Sequence, residues 1–218
     1  MTSLATLTAE GLTKRFSAAP LFAPLSFSLH SGEIVAITGA NGSGKSTLLK
    51  MLARVLTPSK GGVTYQIDGK EYSIEEHQPY IGFAAPYLEL YSELTAIEHL
   101  QFVAELKSKR IGAKESLSIL TSLGLDGSVA ESDLHVKQYS SGMQQRVKLA
   151  MAFALEPNFI FLDEPGSNLD SDGIEKLFAK IKSVASGGAL VVIATNDPAE
   201  TMLASKVIAL EPYQRSAP

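Results

Sequence analysis

One motif constrains the fold of this 218-residue chain more than any other feature. Residues 39–46 read GANGSGKS and match the pattern G-x-x-x-x-G-K-[ST] in full. A β-branched run, Ile34 to Thr38, precedes the motif, and apolar residues at helical spacing follow it towards Leu56, before Pro58. Glycines let the backbone curl so that its N–H groups point at phosphate oxygens, and the N-terminus of the next helix adds partial positive charge in the same direction. The motif therefore predicts a strand, a phosphate-binding loop and a helix in succession.

The residues of this loop have distinct expected roles. Lys45 reaches the β- and γ-phosphates of a bound nucleotide, and the Ser46 hydroxyl ligates Mg²⁺. The alternative is a glycine turn before a helix with no ligand, and the full match with its flanking elements disfavours it. We therefore predict that nucleotide binding involves Gly39, Ala40, Asn41, Gly42, Ser43, Gly44, Lys45, Ser46 and Thr47.

A second apolar run ends in two carboxylates. Residues 159–162 (FIFL) are followed by Asp163, Glu164 and Pro165. Ligands of open α/β sheets bind at the carboxyl ends of strands, so both carboxylates are expected to face the phosphates. Asp163 suits a Mg²⁺ shell, and Glu164 is placed to polarise an attacking water as a catalytic residue. A solvated strand end is the alternative, which the upstream phosphate loop makes the weaker interpretation.

Composition excludes several classes of protein. The 19 Lys and Arg residues against 23 Asp and Glu residues give a net charge of −4, which argues against coating nucleic acid through bulk charge. The absence of cysteine excludes thiol catalysis and zinc–cysteine sites. The N-terminus lacks a signal-peptide pattern, and the most apolar later runs are far shorter than the ~18–20 residues that cross a bilayer. We expect a soluble chain, to which a partner supplies any membrane spans.

The pattern of apolar runs predicts the fold class. Continuous runs at residues 159–162 and 190–194 suit strands that are covered on both faces, and hence a parallel sheet with helices on either side. Thr95 and Glu98 form a capping box that opens a helical stretch. We predict an α/β fold in one domain, 1–218: a P-loop NTPase core with a mixed, mainly parallel sheet (about 31–59 and 156–212), an antiparallel β subdomain (about 1–30 and 60–75) and a helical insertion (about 88–155).

A third segment, residues 139–146 (YSSGMQQR), predicts a capped helix start with Ser141 and Gln144 as a capping box, and such a start is also an anion site. With this segment the chain resembles the ATP-binding subunits of ABC transporters over residues 4–210. The phosphate loop, this Ser-Ser-Gly-Met-Gln signature and the Asp-Glu-Pro strand end occur in the family's order and approximate spacing. Residues 167–170 (SNLD) are similar to the family's D-loop.

The resemblance implies further site residues and partners. Phe16 occupies the position of an aromatic residue that stacks on adenine, with a core aromatic as the alternative. Ser141 and Gly142 would contact the γ-phosphate held by a second copy, so that a head-to-tail dimer encloses two nucleotides, and Asp170 belongs to the same nucleotide-binding set. The implied cofactors are ATP and Mg²⁺, with Ser46 and Asp163 as metal ligands. Separate transmembrane permease subunits are the implied partners, at the cytoplasmic face of the membrane, and no direct contact with nucleic acid is expected.

Two positions depart from the family pattern. The family usually has Gln after the strand that here reads YIGFAA (80–85), whereas Pro86 stands in or near that place. Gln78 lies on the wrong side of the strand, and Glu89 is left open as a substitute. The family usually has a γ-phosphate-contacting His where Asn196 stands; Asn donates a hydrogen bond but cannot shuttle a proton. We predict that Asn196 is catalytic, and slow hydrolysis is left open as a consequence of the two departures, since Glu164 is intact. The alternative is a turn residue before a helix capped by Asp197 and opened by Pro198.

The resemblance implies an ATP-hydrolysing subunit whose dimer closure drives separate transmembrane subunits. The short single domain and the stretch from residues 12–16 (LTKRF) to residues 42–49 (GSGKSTLL) resemble those of exporter-type subunits, such as the heme-exporter-like subunit of cytochrome c maturation. One alternative is a catalytically weak regulatory nucleotide-binding module. The other is a soluble, non-transport ABC ATPase that acts on ribosomes or DNA, which would normally need a tandem domain, a coiled-coil insertion or a basic face.

Overall fold

The computed structural model of the protein describes residues 4–17, 19–73, 76 and 80–211. Its strands are β1 (Ala5–Thr13), β2 (Leu25–His30), β3 (Ile34–Thr38), β4 (Lys60–Ile67), β5 (Lys70–Tyr72), β6 (Ile81–Ala84), β7 (Phe159–Asp163), β8 (Leu190–Ala194) and β9 (Lys206–Ala209). Its α-helices are α1 (Lys45–Leu52), α2 (Ala96–Leu106), α3 (Ala113–Ser122), α4 (Gly127–Ala130), α5 (Ser141–Phe153), α6 (Ser171–Ser186) and α7 (Pro198–Thr201), and a 3₁₀ turn covers Val136–Gln138.

A five-stranded sheet in the order β6-β7-β8-β3-β9 forms the centre of the fold. Successive residues of β7 enter two different apolar cores: Ile160 and Leu162 join the one on the side of α5 and α6, and Phe159 and Phe161 join the one that contains α1. Because both faces of the sheet are covered at its centre, strands β7 and β8 are apolar and buried without alternation, as the sequence predicts. The described pairings in this sheet are parallel.

The antiparallel strands form a sheet of their own, in the order β2-β1-β4-β5. Its inner face packs on the α1 core, where the ring of Tyr65 meets Phe159 edge to face at 4.7 Å between centroids. Gly61 on β4 is required at the crossing with β1, since a Cβ there would lie 2.3 Å from the carbonyl oxygen of Glu10. The predicted α/β class, with a parallel core, an antiparallel part and helices, is confirmed. The numerical domain limits stay a prediction.

Two helix boundaries differ from the sequence prediction. Helix α1 ends at Leu52, well before Pro58, because Arg54 adopts a left-handed conformation with φ 54°. Ser140, not Ser141, caps helix α5. The extended conformation of Ser140 lets its hydroxyl accept the Met143 N–H at 3.2 Å. The expected box of Ser141 and Gln144 is therefore wrong, and Ser141 is the exposed first residue of the helix.

The helical segment between β6 and β7 begins as the sequence predicts. Thr95 caps α2 and forms the full capping box with Glu98. Helices α2, α3 and α5 pack on one another through the core on their side of the sheet. Among the residues that the structure describes, no helix combines the length and the apolar character that a membrane span requires.

Candidate functional site

The predicted site residues meet at the carboxyl edge of the parallel sheet. Strand β3 ends at Thr38 and leads into the phosphate loop, β7 ends at Asp163, and β8 ends at Ala194. These three strands are neighbours and run in the same direction, and Asp163 pairs directly with Ala194. The sheet therefore brings together the loop, the two carboxylates and the Thr195–Asn196 turn, at the edge where α/β proteins bind ligands.

Glycines shape the phosphate loop. Gly39 and Gly44 have φ angles of 144° and 100°, in the left-handed half of conformational space that favours glycine. A Cβ on Gly39 would also lie 2.5 Å from the carbonyl oxygen of Leu210. Helix α1 starts at Lys45 with no side chain capping its first turn. The N–H groups of that turn are thus left to bind an anion, such as a phosphate group.

The Lys45 ammonium lies over this loop. Its Nζ donates to the carbonyl oxygen of Gly39 at 2.9 Å and to that of Ala40 at 3.4 Å, and the residue is only 7% exposed. Phosphate oxygens carry negative charge, so they are stronger acceptors for an ammonium group than these neutral carbonyls. The position fits the predicted contact with a nucleotide phosphate.

Ser46 and Asp163 present two adjacent oxygen atoms at the start of α1. The Ser46 hydroxyl donates to Oδ1 of Asp163 at 3.0 Å, across 117 residues of sequence. Burial raises the pKa of the Asp163 carboxyl; the Ser46 hydrogen bond opposes the rise, and the negative charge of Glu164 adds to it. Hydroxyl and carboxylate oxygens are the ligand types that Mg²⁺ prefers. These two residues therefore fit the predicted metal position.

Glu164 follows with an exposed side chain and a strained backbone. Its φ of 43° is left-handed, which is uncommon for a residue with a Cβ. The Glu164 N–H donates to the carbonyl oxygen of Ala194 at 2.8 Å, and its own carbonyl accepts the Ser167 N–H at 3.1 Å. The side chain is exposed, so water can reach the carboxylate.

Asn196 contacts the phosphate loop directly. Its Nδ2 donates to Oδ1 of Asn41 at 2.6 Å, although 155 residues separate the two. The helix that follows begins as the turn alternative predicts, with Asp197 accepting the Ala199 N–H at 2.7 Å and Pro198 at the first position. Asn196 lies before this cap with its side chain exposed, so the cap leaves its amide available to the site.

Phe16 and Ser141 are both exposed. Phe16 is 68% exposed, which excludes the core alternative, and the Lys14 ammonium lies 5.3 Å from its ring centroid. A flat exposed ring is suited to stacking on a base. At the start of α5, a Cβ on Gly142 would lie 2.7 Å from the carbonyl oxygen of Asn168, so glycine is required where this helix meets the segment after β7. In the described part of the chain, no hydrogen bond joins Ser141 or Gly142 to the phosphate loop.

Asp170 has strong partners within its own chain. Its Oδ1 accepts the Gly173 N–H at 2.8 Å, which caps helix α6, and forms an ion pair with Arg146 at 2.6 Å. The first of these bonds is the main cause of the lowered pKa of Asp170, to which Arg146 also contributes. Binding of nucleotide by Asp170 stays a prediction. The ion pair links the signature helix α5 to α6.

Tyr87 is a neighbour of helix α1 that the sequence interpretation missed. It follows Pro86, after the end of β6, and the Lys50 ammonium lies 3.9 Å from its ring centroid. Burial raises the pKa of the Tyr87 hydroxyl, and the negative charge of Asp163 adds to the rise. Lys148 of helix α5 donates to the Pro86 carbonyl oxygen at 2.8 Å. No motif marks this aromatic residue, because its position depends on the pairing of β6 with the neighbouring strand β7.

Gln78 and Glu89 are the two other residues considered in place of the family's glutamine, and the structure describes only Glu89. Gln78 lies outside the described residues. Glu89 lines a cavity of about 340 Å³ together with Pro86 and Tyr87. Burial lowers the pKa of Lys148, and the negative charge of Glu89 partly opposes this by raising it. Glu89 is therefore associated with helix α5.

Comparisons with known proteins agree with this geometry. The profile of the family described as ABC transporter matches residues 22–167. The chain is 34% identical over 196 residues to the macrolide export ATP-binding/permease protein MacB of Salmonella choleraesuis, covering 84% of this chain but only 29% of that protein. It is 34% identical to an uncharacterized ABC transporter ATP-binding protein of Methanocaldococcus jannaschii, with 85% of each chain covered. It is 29% identical to the L-cystine import ATP-binding protein TcyC of Bacillus subtilis, covering 80% of that protein.

A solved structure extends the similarity to three dimensions. The ATP-binding cassette MJ0796, in a dimeric post-hydrolysis state bound to ADP and Pi, superimposes with a TM-score of 0.82 at 27% identity. The alignment covers 94% of both chains. The family profile and the 34% identical archaeal relative each match most of the chain. This chain therefore belongs to the ABC transporter family, as one of its ATP-binding proteins.

Proposed function

We propose that this chain binds ATP with Mg²⁺, hydrolyses it, and thereby drives separate transmembrane subunits of a transporter. The observation that carries the proposal is the contact of Ser46 with Asp163 at 3.0 Å, with the exposed carboxylate of Glu164 next along the chain. The phosphate loop, the proposed metal ligands Ser46 and Asp163 and the proposed general base Glu164 therefore lie at the same edge of the sheet. This is the set that phosphoryl transfer to water requires.

The residues divide the chemistry between them. Lys45 and the first turn of α1 bind the phosphates, Phe16 stacks on the base, and Ser46 and Asp163 would hold the cation. When bound, Mg²⁺ neutralises negative charge on the phosphates. Glu164 accepts the proton of the water whose oxygen forms the new bond to the γ-phosphorus as the bond to ADP breaks. Asn196 donates its amide hydrogen to the γ-phosphate.

The proposed site is completed by a second copy. Ser141 is exposed at the N-terminus of α5, a helix of 13 residues, and no hydrogen bond in the described chain joins it to the phosphate loop. A helix N-terminus with exposed small residues can bind the γ-phosphate of a facing molecule. The dimeric state of a similar solved cassette bound to ADP and Pi supports a second copy at the site.

The test of hydrolysis and dimer closure uses two substitutions. Glu164→Gln keeps the shape of the side chain but removes the proton acceptor, so we expect ATP binding without turnover. The variant should run as a dimer on a sizing column only with ATP and Mg²⁺. Glu175→Gln, on the exposed face of α6, is the matched control and should behave as the parent. Parent-level turnover in Glu164→Gln would refute the role of Glu164.

Adding Ser141→Arg to Glu164→Gln tests the interface separately. A large cation at the start of α5 should block docking of the second copy, so this double variant should stay monomeric with ATP. A dimer that persists in the double variant would contradict the head-to-tail arrangement. Loss of ATP binding in the double variant would contradict the assignment of Ser141 to the facing molecule.

Coupling to transport needs a partner that contains membrane spans. Relatives named for macrolide export and for L-cystine import both match the chain, so the proposal leaves the direction of transport open. The partner is expected to keep this chain at the cytoplasmic face of the membrane. Co-purification from detergent-solubilised membranes with a multi-span protein that stimulates ATP turnover is the expected result. A purified chain that binds ATP but hydrolyses it very slowly, with or without membranes, would favour a regulatory module. The presence of Asn196 in place of the family's His is the sequence feature that favours this alternative.

A further inference from the structure

The turn after β7 is held by two buried side chains from distant parts of the sequence. Gln145 of helix α5 is 2% exposed, and its Nε2 donates to the Pro165 carbonyl oxygen at 2.9 Å. Glu200 of helix α7 is also 2% exposed, and its Oε1 accepts the Gly166 N–H at 2.8 Å. Both bonds fall within two residues of Glu164. This turn is therefore fixed from both sides.

The same turn contains two strained residues. Glu164 and Asn168 have left-handed φ angles of 43° and 63°. Such conformations persist only where the surrounding structure determines them through several contacts. The bond from the Gly166 N–H to Glu200 is one of these contacts, and it lies between the two strained residues.

The Glu200 carboxyl group packs closely against the backbone of Gly166. A Cβ on Gly166 would lie 2.6 Å from Oε1 of Glu200, so only glycine allows the carboxyl group to approach this closely. Glu200 also lies four residues after Asn196, in the short helix that Asp197 caps. It therefore connects the turn that carries Glu164 to the segment that carries Asn196.

We propose that Glu200 is a positioning residue for Glu164, which accepts the Gly166 N–H and so fixes the direction of the Glu164 carboxylate relative to the Asn196 segment. The proposal rests on the proposed role of Glu164 in hydrolysis. Glu200 supplies an oxygen atom within hydrogen-bond distance of the Gly166 N–H. Its negative charge is not required. Burial is the main cause of the raised pKa of this carboxyl; hydrogen bonds from Thr195 and Gly166 oppose the rise, and the negative charges of Asp197 and Glu164 add to it.

Two conservative substitutions distinguish the length of the Glu200 side chain from its negative charge. Glu200→Gln keeps the length of the side chain and an oxygen that accepts the Gly166 N–H, but it removes the charge. Glu200→Asp keeps the charge, but it withdraws the oxygens by one methylene group. We expect Glu200→Gln to keep kcat within about twofold of the parent and Glu200→Asp to lower kcat about tenfold or more. Both should bind ATP with nearly the parent affinity in a calorimeter.

A readout that does not depend on turnover is hydrogen–deuterium exchange at the Gly166 amide. The amide should exchange faster than in the parent in Glu200→Asp and at the parent rate in Glu200→Gln. Parent-level kcat in Glu200→Asp would overturn the proposal, and so would equal losses in both variants. A greater loss in Glu200→Gln would overturn it as well, because charge would then be the requirement. Glu164→Gln, assayed alongside, distinguishes failure of the role of Glu200 from failure of the proposed function. If Glu164→Gln retains turnover, the proposed function fails and not only the role of Glu200.

Discussion

Replacing Asn196 by alanine tests whether this residue acts in hydrolysis or only forms a turn. The side chain is exposed and precedes the cap of α7, so its removal should have little effect on folding stability. Its amide donates to Asn41 of the phosphate loop at 2.6 Å, which puts it at the loop that binds the phosphates. We expect Asn196→Ala to lower turnover while leaving ATP affinity nearly intact.

The size of the effect follows from the kind of contact. A neutral hydrogen bond contributes about 0.5–1.5 kcal/mol, and each ~1.4 kcal/mol of lost transition-state stabilisation is tenfold in rate, so kcat should fall about 2- to 12-fold. Asn196→His restores the family residue and can supply a charged contact, which is about twice as strong as a neutral one. Its kcat should match or exceed that of the parent.

The assay is steady-state phosphate release at saturating ATP and Mg²⁺, with ATP affinity measured by calorimetry. Asn158→Ala is the matched control, because Asn158 immediately precedes β7 at the opposite edge of the sheet. The control should keep the parent rate. Unchanged phosphate release in Asn196→Ala would refute the catalytic interpretation and leave Asn196 as a turn residue.

Two more predictions concern the phosphate loop and its neighbour. Lys45→Ala removes a charge-assisted contact of about 1.5–3 kcal/mol, so ATP affinity should fall about 10- to 140-fold in a calorimeter; unchanged affinity would contradict the site assignment. Tyr87→Trp introduces a lone tryptophan, since the chain has none, at the ring that Lys50 covers at 3.9 Å. Its emission should change on addition of ATP with Mg²⁺, whereas that of Tyr91→Trp, at a residue 60% exposed, should not. Equal responses from both tryptophans would remove Tyr87 from the site.

The parts of the site that local chemistry determines could be predicted from sequence. The strand β3, the phosphate loop and the start of α1 are fixed by glycine conformations and apolar runs within about twenty residues. The meeting of Ser46 with Asp163 also followed, because parallel strands align their carboxyl ends at one edge of a sheet. In both cases residues near in sequence, or a general rule of topology, decide the geometry.

The residues that were missed depend on tertiary contacts. Ser140 and Ser141 are equally able to cap a helix, and the choice is made by the extended backbone of Ser140. Glu200 in a sequence would be assigned to the exposed face of a short helix, whereas packing on Gly166 buries it. Tyr87 has no motif, and only the adjacency of β6 and β7 brings it near Asp163.

The contacts inside the site also determine how a nucleotide must compete for it. Lys45 donates to neutral carbonyl groups, so a charged phosphate offers it a stronger acceptor. Asn196 donates to the neutral amide oxygen of Asn41, and a phosphate oxygen is again the stronger acceptor if it comes within reach. Any nucleotide with a β-phosphate can replace the carbonyls at Lys45, but only a γ-phosphate would reach Asn196 in its proposed role. Binding of ATP exchanges the Asn41 hydrogen bond of Asn196 for one to the γ-phosphate, so the exchange should add little to ATP affinity. The loss in Asn196→Ala should therefore appear in turnover and leave the ratio of ATP affinity to ADP affinity near that of the parent.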